Sequence, residues 1–161
     1  MSISSGAAQG TVGQLNYSAA KAGILGLTRS AAREFDAVGD EVRVNAIMPA
    51  AWTRLVTEMM PEMPFDEDDM PPERVGAFVA FLMSDAADDV IGCTFRVQGE
   101  YLGLVSDPAD YRSATRYGGW SPERLAEKFD MTVGSCRRPL ENRDSLRAVL
   151  RRDGRMTESA G

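Results

Sequence analysis

Residues 14–36, QLNYSAAKAGILGLTRSAAREFD, run for 23 positions without a proline and are rich in alanine and leucine, which predicts a helix. Gly39 suits its C-terminal stop. The next segment, EVRVNAIMP (41–49), alternates, then runs apolar, and ends at proline. That is the pattern of a buried parallel strand whose C-terminal end opens into a loop. The pairing then recurs. Pro71-Pro72-Glu73 makes a helix start, with apolar positions at Val75, Phe78, Val79 and Leu82, and CTFRVQG (93–99) reads as a strand closing at glycine. Helix, strand, loop, helix, strand is the rhythm of an α/β parallel sheet, and this order constrains the fold more than any other feature.

A length of 161 residues suits one compact domain better than two. The longest unbroken apolar run, FVAFLM (78–83), is far too short to span a membrane, and MSISSG at the start has neither the basic region nor the apolar core of a secretory signal. Cys93 and Cys136 lie far apart without C-x-x-C spacing, which points away from zinc and from a disulfide scaffold. A reducing, cytoplasmic setting is expected. The chain has no histidine, so Ser-His-Asp and Cys-His nucleophilic systems and histidine-rich metal sites are excluded. Acid–base chemistry must use a carboxylate, a tyrosine, a lysine or a cysteine.

The net charge of −6 is unevenly spread, with seven arginines between 137 and 155. The acidic body argues against nucleic-acid binding, which needs a basic footprint. The arginine-rich tail reads as a solvated helix or a disordered end, with a contact to an anionic group such as a CoA phosphate as the alternative. Between 49 and 72, several prolines, four methionines and the run Asp66-Glu67-Asp68-Asp69 predict a loop or short helices, either a lid over an apolar substrate or a surface excursion. Ser121, Pro122 and Glu123 predict a helix at 121–130, and DSLRAVLRRDG reads as a last helix ending near Gly154. Asn16 and Asn45 read as backbone-bonding structural residues, Cys93 as a small core residue, and Trp52 as either a packed aromatic or part of a substrate entrance.

The chemistry concentrates in the opening stretch. Tyr17 and Lys21 stand at i and i+4, on one helical face. A free tyrosine has a pKa of about 10 and is a poor base near neutrality. A neighbouring ammonium stabilises the phenolate and makes the tyrosine a usable proton shuttle. Such a pair suits reversible oxidation of an alcohol, with a cofactor taking the hydride and a hydroxyl donor such as serine holding the substrate oxygen. Taken alone, the pair is equally an exposed tyrosine beside a solvated lysine.

More than the pair matches. SSGAAQGTVGQLNYSAAKAGILGLTRSAARE followed by VRVNAIMP closely resembles the second half of the classical short-chain dehydrogenases/reductases, over about residues 1–104. In that family a catalytic serine precedes the tyrosine by thirteen residues, which here selects Ser4 rather than Ser5 or Ser2. The resemblance makes Tyr17 the catalytic acid/base and Lys21 the residue that lowers its pKa and holds the nicotinamide ribose. It places Pro49 and Thr53 in the loop after the following strand, against the nicotinamide end of NAD or NADP. Within the family, GQLNYSAAKAGILGLTRSAA, NAIMPAAWTRLVTEMMPE, PPERVGAFVAFLMSD and TFRVQGEYLGLV are similar to the 3-hydroxyacyl-CoA dehydrogenase part of peroxisomal multifunctional enzymes and bacterial relatives. GGWSPERLAEKF resembles that group's C-terminal extension. The implied substrate is a small hydroxy or keto compound, a 3-hydroxyacyl-CoA or a hydroxysteroid, and no metal is implied.

The sequence departs from the family pattern at Ala50, where a glycine is usual, and at Gly99-Glu100, where a glycine pair is common. The Gly-rich strand–turn–helix that holds a dinucleotide pyrophosphate and the family's catalytic asparagine have no counterpart in the 161 residues. The expected fold is therefore the C-terminal part of a Rossmann-like doubly wound parallel sheet without its N-terminal nucleotide-binding βαβ units, over residues 1–104, followed by a helical extension at 105–161. Two functional readings follow. One is a dehydrogenase of this family whose chain is inactive by itself. The other is a non-catalytic remnant that acts by self-association or complementation. An uncovered sheet edge predicts marginal stability or homo-oligomerisation through the helix at 14–36, a subunit interface in the family.

Overall fold

The computed structural model describes residues 1–59 and 66–137, in two compact units, Met1–Ser106 and the segment from Asp107 onward. In the first unit the proline-free stretch forms helix α1, Leu15–Val38. It stops where Gly39 takes φ +76°, a left-handed conformation that costs glycine little. The Gly39 N–H then bonds Asp36 O and the Asp40 N–H bonds Phe35 O, closing two of the carbonyls that a helix end leaves open.

Strand β2, Ala46–Ala50, begins later than the alternation at 41–49 predicts. Residues 41–45 approach it as irregular chain, and the buried Asn45 side chain ties this approach to the rest of the sheet. Its Nδ2 donates to Val90 O at 2.6 Å and its Oδ1 accepts from the Cys93 N–H at 2.9 Å. Cys93 itself sits just before strand β3, Thr94–Gln98, and is half-buried.

The sheet has four strands in sequence order. β1, Ser2–Ile3, pairs parallel with β2 in the register Ser2↔Ala46 and Ile3↔Ile47. β2 pairs parallel with β3 from Ala46↔Thr94 to Ala50↔Gln98. An antiparallel strand that the sequence reading did not anticipate, β4 at Tyr101–Leu104, then folds back on β3. Gln98 faces Tyr101, so Gly99 and Glu100 form a two-residue connection with Gly99 at φ +53°, the glycine-first pattern of a tight hairpin.

β2 carries the core: Ala46, Ile47 and Met48 are at most 2% exposed. Ile47 packs with Leu82 and Ala87, and with the half-buried Val75, Phe78, Val79, Val90 and Phe95. Burying one such aliphatic side chain is worth about 2 kcal/mol. Most of these partners come from helix α3, Pro72–Leu82, and the Phe78 and Phe95 rings meet edge to face at 5.1 Å. Where α3 ends, the Arg43 guanidinium donates to Leu82 O, Ala87 O and Ser84 O, placing a cation on the negative end of the helix. Alternation sends Ala46 and Met48 to the opposite face from Ile47. α1 lies against β1 and β2, with Thr28 and Ala32 buried. Gly23 and Gly26 of α1 have open space where a Cβ would stand.

In the second unit the predicted helix forms as a helix at Pro122–Lys128. The Ser121 hydroxyl accepts from the Arg124 N–H and Pro122 occupies the first turn. The hydrogen bond from Ser121 and the Glu123 backbone N–H hold the Glu123 carboxyl below the usual carboxylate range, and Lys128 and Arg124 do the same for Glu127. The helix predicted to end near Gly154 and the arginines from 138 to 155 lie outside the described residues. No helix of the described residues is long and apolar enough to cross a membrane.

Candidate active site

β1 ends at Ile3, and the chain leaves the sheet through Ser4 and Ser5 into a 3-10 turn at Gly6–Gln9. The Ser5 hydroxyl caps that turn by accepting the Ala7 N–H at 3.2 Å. The Thr11 N–H bonds Ser18 Oγ, which fastens the returning loop to the first turn of α1.

Two bonds then join the strand end to the helix. The Ser4 hydroxyl donates to the Lys21 carbonyl at 2.7 Å, and the Lys21 ammonium donates to the Ile3 carbonyl at 2.9 Å. Ser4 is 3% exposed, and its N–H also bonds Ile47 O at 2.7 Å. The Lys21 ammonium lies 5.6 Å from the centre of the Tyr17 ring, within the range of attraction between a cation and an aromatic face. Tyr17 and Lys21 therefore share one side of α1, and Tyr17 is exposed to solvent. Asn16, on the same turn, is exposed as well.

Pro49 and Thr53 reach the same place from the other side. Pro49 is not in the loop after the strand but is the penultimate residue of β2, paired with Val97. In a parallel ladder alternate residues bond to alternate neighbours. Ile47 bonds toward β1 through Ser4, so Pro49 faces that side too, one step beyond the end of β1. The position needs no N–H there, which is where a strand tolerates proline. Thr53 lies in the loop, and its hydroxyl accepts the Val56 N–H at 3.4 Å at the start of helix α2, Arg54–Met59.

Ser4, Ser5, Tyr17, Lys21, Pro49 and Thr53 all line one cavity of about 550 Å³. Its remaining wall is apolar, built from Ile3, Leu55, Val56, Met70, Pro72 and Val75 among others. All five residues that the sequence reading selected thus surround one hollow. Trp52 is not among its lining residues. Its N–H bonds Met70 O at 2.6 Å, so it acts on the cavity through the backbone. The 66–70 turn, where Asp66 Oδ1 accepts the N–H groups of Asp68 and Asp69, carries the buried Met70 into the cavity wall. Met70 was not singled out from sequence. The only signal was its place in a methionine-rich stretch, and methionine adapts to irregular apolar surfaces.

Comparison with known proteins agrees with this arrangement. A family model described as enoyl-(acyl carrier protein) reductase matches residues 1–101. A hydroxyacyl-CoA dehydrogenase of Mycobacterium tuberculosis is 41% identical over 121 residues, 72% of this chain and 38% of that protein. A human (3R)-3-hydroxyacyl-CoA dehydrogenase is 37% identical over 98 residues, 56% of this chain and 37% of that protein. A crystal structure of a short chain dehydrogenase from Mycobacterium avium superposes with a TM-score of 0.67 at 41% identity, covering 86% of this chain and 46% of that one. The chain spans less than half the length of these relatives. With the match running unbroken through the strand end, the tyrosine–lysine helix and the two strands that follow, the chain belongs to the short-chain dehydrogenase/reductase family.

Proposed function

We propose that the chain carries the catalytic groups of an NAD- or NADP-dependent oxidoreductase that interconverts a secondary alcohol and a ketone, with a 3-hydroxyacyl-CoA as substrate. The observation that carries this reading is the shared cavity, where Tyr17 and Lys21 meet the end of β1 on one side and an apolar wall on the other. In the oxidative direction the Tyr17 oxygen, as the phenolate, takes the hydroxyl proton of the alcohol as the carbon–oxygen double bond forms. The Lys21 ammonium supplies positive charge beside that phenol. A serine hydroxyl at the end of β1 donates to the substrate oxygen, and such a donor is most effective where charge develops in the transition state. The apolar wall of Val56, Met70 and Val75 suits an acyl chain better than a polar substrate, and relatives named as hydroxyacyl-CoA dehydrogenases favour that class over a hydroxysteroid.

The residues present fit the nicotinamide end of the cofactor. Tyr17, Lys21, Pro49 and Thr53 open on the same hollow, and an ammonium there has N–H groups to offer ribose hydroxyls. The nicotinamide would supply the hydride acceptor. Replacing Tyr17 with phenylalanine tests the reading: turnover of a 3-hydroxyacyl-CoA falls on the order of 10²–10⁴-fold, the usual contribution of a positioned acid/base. Full turnover by Tyr17→Phe, in this chain or in a longer one containing it, overturns the assignment.

A second reading has its own support. β1 has β2 as its only strand partner among the described residues, and Leu15, Leu27 and Val38 of α1 are well exposed. In this reading the 161-residue polypeptide by itself is catalytically silent and associates, through α1, with a second copy or a complementary half. Titrating the purified chain against NADH while following nicotinamide fluorescence separates the two. Tight, saturable binding by the chain alone defeats the second reading.

A further inference from the structure

We propose that Ser5, and not Ser4, presents the hydroxyl proton that holds the substrate oxygen opposite Tyr17, an inference that rests on the oxidoreductase reading above. Counting thirteen residues back from Tyr17 selects Ser4, but a serine hydroxyl has a single proton to give. The Ser4 proton is already given to the Lys21 carbonyl at 2.7 Å, at a position 3% exposed to solvent. That bond is half of the reciprocal attachment between strand end and helix, because the Lys21 ammonium bonds the Ile3 carbonyl in return. Donation to a substrate would require Ser4 to give up that bond and turn out of a buried position.

Ser5 has the opposite inventory. Its oxygen accepts the Ala7 N–H at 3.2 Å, which fixes the side chain, and that contact uses a lone pair rather than the proton. Its backbone is extended, with φ −160° and ψ 159°, so successive side chains point to opposite sides. With Ser4 turned to the helix carbonyl, Ser5 is turned away from it. Ser5 is half-buried rather than sealed, and it lines the cavity shared by Tyr17 and Lys21. An oxygen anchored by one accepted bond, with its proton uncommitted and facing the cavity, is a preorganised donor.

Two measurements on the full chain decide this, one of them independent of turnover. In proton NMR, the Ser4 hydroxyl should exchange slowly and show a cross-peak to Lys21 that disappears in Ser4→Ala, while Ser5 shows no protected hydroxyl. A protected hydroxyl on Ser5, or on neither serine, overturns the proposal. In kinetics with 3-hydroxybutyryl-CoA and NAD or NADP, Ser5→Ala should lower kcat on the order of 10²–10³-fold, with only the modest fall in Tm that losing the bond to the Ala7 N–H brings. Ser5→Thr, which keeps both the capping oxygen and a proton, should recover most of the loss. Ser4→Ala should lower Tm and cost kcat less than Ser5→Ala does. A kcat loss larger in Ser4→Ala than in Ser5→Ala, at matched Tm, overturns the proposal. A Tyr17→Phe variant of undiminished kcat would instead remove the oxidoreductase reading itself, leaving the NMR arm to judge the two serines. If the chain alone shows no turnover, the NMR arm decides.

Discussion

Asn45 offers the sharpest test of how this unit is held together. Its side chain spans from the start of β2 to the turn before β3, giving one hydrogen bond to Val90 O and taking one from the Cys93 N–H. Asn45→Ala removes both bonds and takes the side-chain partner away from the Val90 carbonyl and the Cys93 N–H. Each bond contributes about 1 kcal/mol net, and each orphaned buried group costs about 1–3 kcal/mol. Because Val90 and Cys93 are half-buried, water reaches them in part, and the total should fall near 2–4 kcal/mol. In a unit of this size each kcal/mol moves Tm by roughly 4–8 °C, so the transition should fall by roughly 10–30 °C. Urea denaturation followed by circular dichroism gives the free energy directly. Asn45→Asp sharpens the test, because it sets a carboxylate oxygen 2.6 Å from the Val90 oxygen where the amide nitrogen stood. A protonated carboxyl can donate to that oxygen and an ionised one cannot, so the folded-state pKa of the new Asp lies above its unfolded value. Its stabilisation is then fully present below the unfolded pKa of about 3.9 and is lost as pH rises through the folded pKa. Measured against Asn45→Ala, Asn45→Asp should gain stability as the medium is acidified. Asn45→Ala within about 0.5 kcal/mol of the native chain, the usual range for inconsequential surface changes, would refute the reasoning, as would an Asp variant insensitive to pH.

Three further outcomes follow from the same structure. Gly99→Ala would put a Cβ 2.7 Å from the Asp69 carbonyl oxygen at φ +53°; overpacking of this kind costs about 1–3 kcal/mol, and both a lower Tm and a shifted Met70 methyl resonance should report the displaced 66–70 turn. Gly39→Ala has the same kind of backbone angle but nothing within 4 Å of the added carbon, so it should cost only about 1 kcal/mol by melting and leave Met70 unmoved. At the second unit, Glu123 and Glu127 are held below the usual carboxylate range by their hydrogen bonds, so their support for the helix is present above the unfolded pKa and is lost as pH falls through the folded one. Backbone chemical shifts of residues 122–128 should become less helical on acidification, weakly and less so at high salt, because these groups are exposed.

The sequence made the helices and their order legible because periodicity and stop signals report local physics. α1 and its Gly39 terminus, α3 behind its two prolines, and the Ser121-Pro122 start all stand where expected. β2 was placed too early because 41–45 alternate like a strand, yet their backbone is irregular and a side chain, Asn45, makes the connection. β4 is legible only through its turn, because Gly99-Glu100 between two short apolar runs is a hairpin signal that helix and strand periodicity does not carry. At the candidate site, residue types and spacing pick out Tyr17 and Lys21, and the family resemblance adds Ser4, Pro49 and Thr53; all five line one cavity. Met70 could not be found that way, since its place in the wall depends on the Trp52 N–H bond to its carbonyl and on the close approach of Asp69 to Gly99.

The paired bonds between Ile3, Ser4 and Lys21 set how far the strand tip stands from α1 without reference to the ten or so residues that travel between them. Insertions between Gly10 and Gly13, beyond the Ala7 N–H that anchors Ser5, should leave Tyr17 and Lys21 where they stand against the strand tip. Distance along the polypeptide is accordingly a poor ruler for this hollow, and alignments of related chains are better anchored on the cross-links than on the gap.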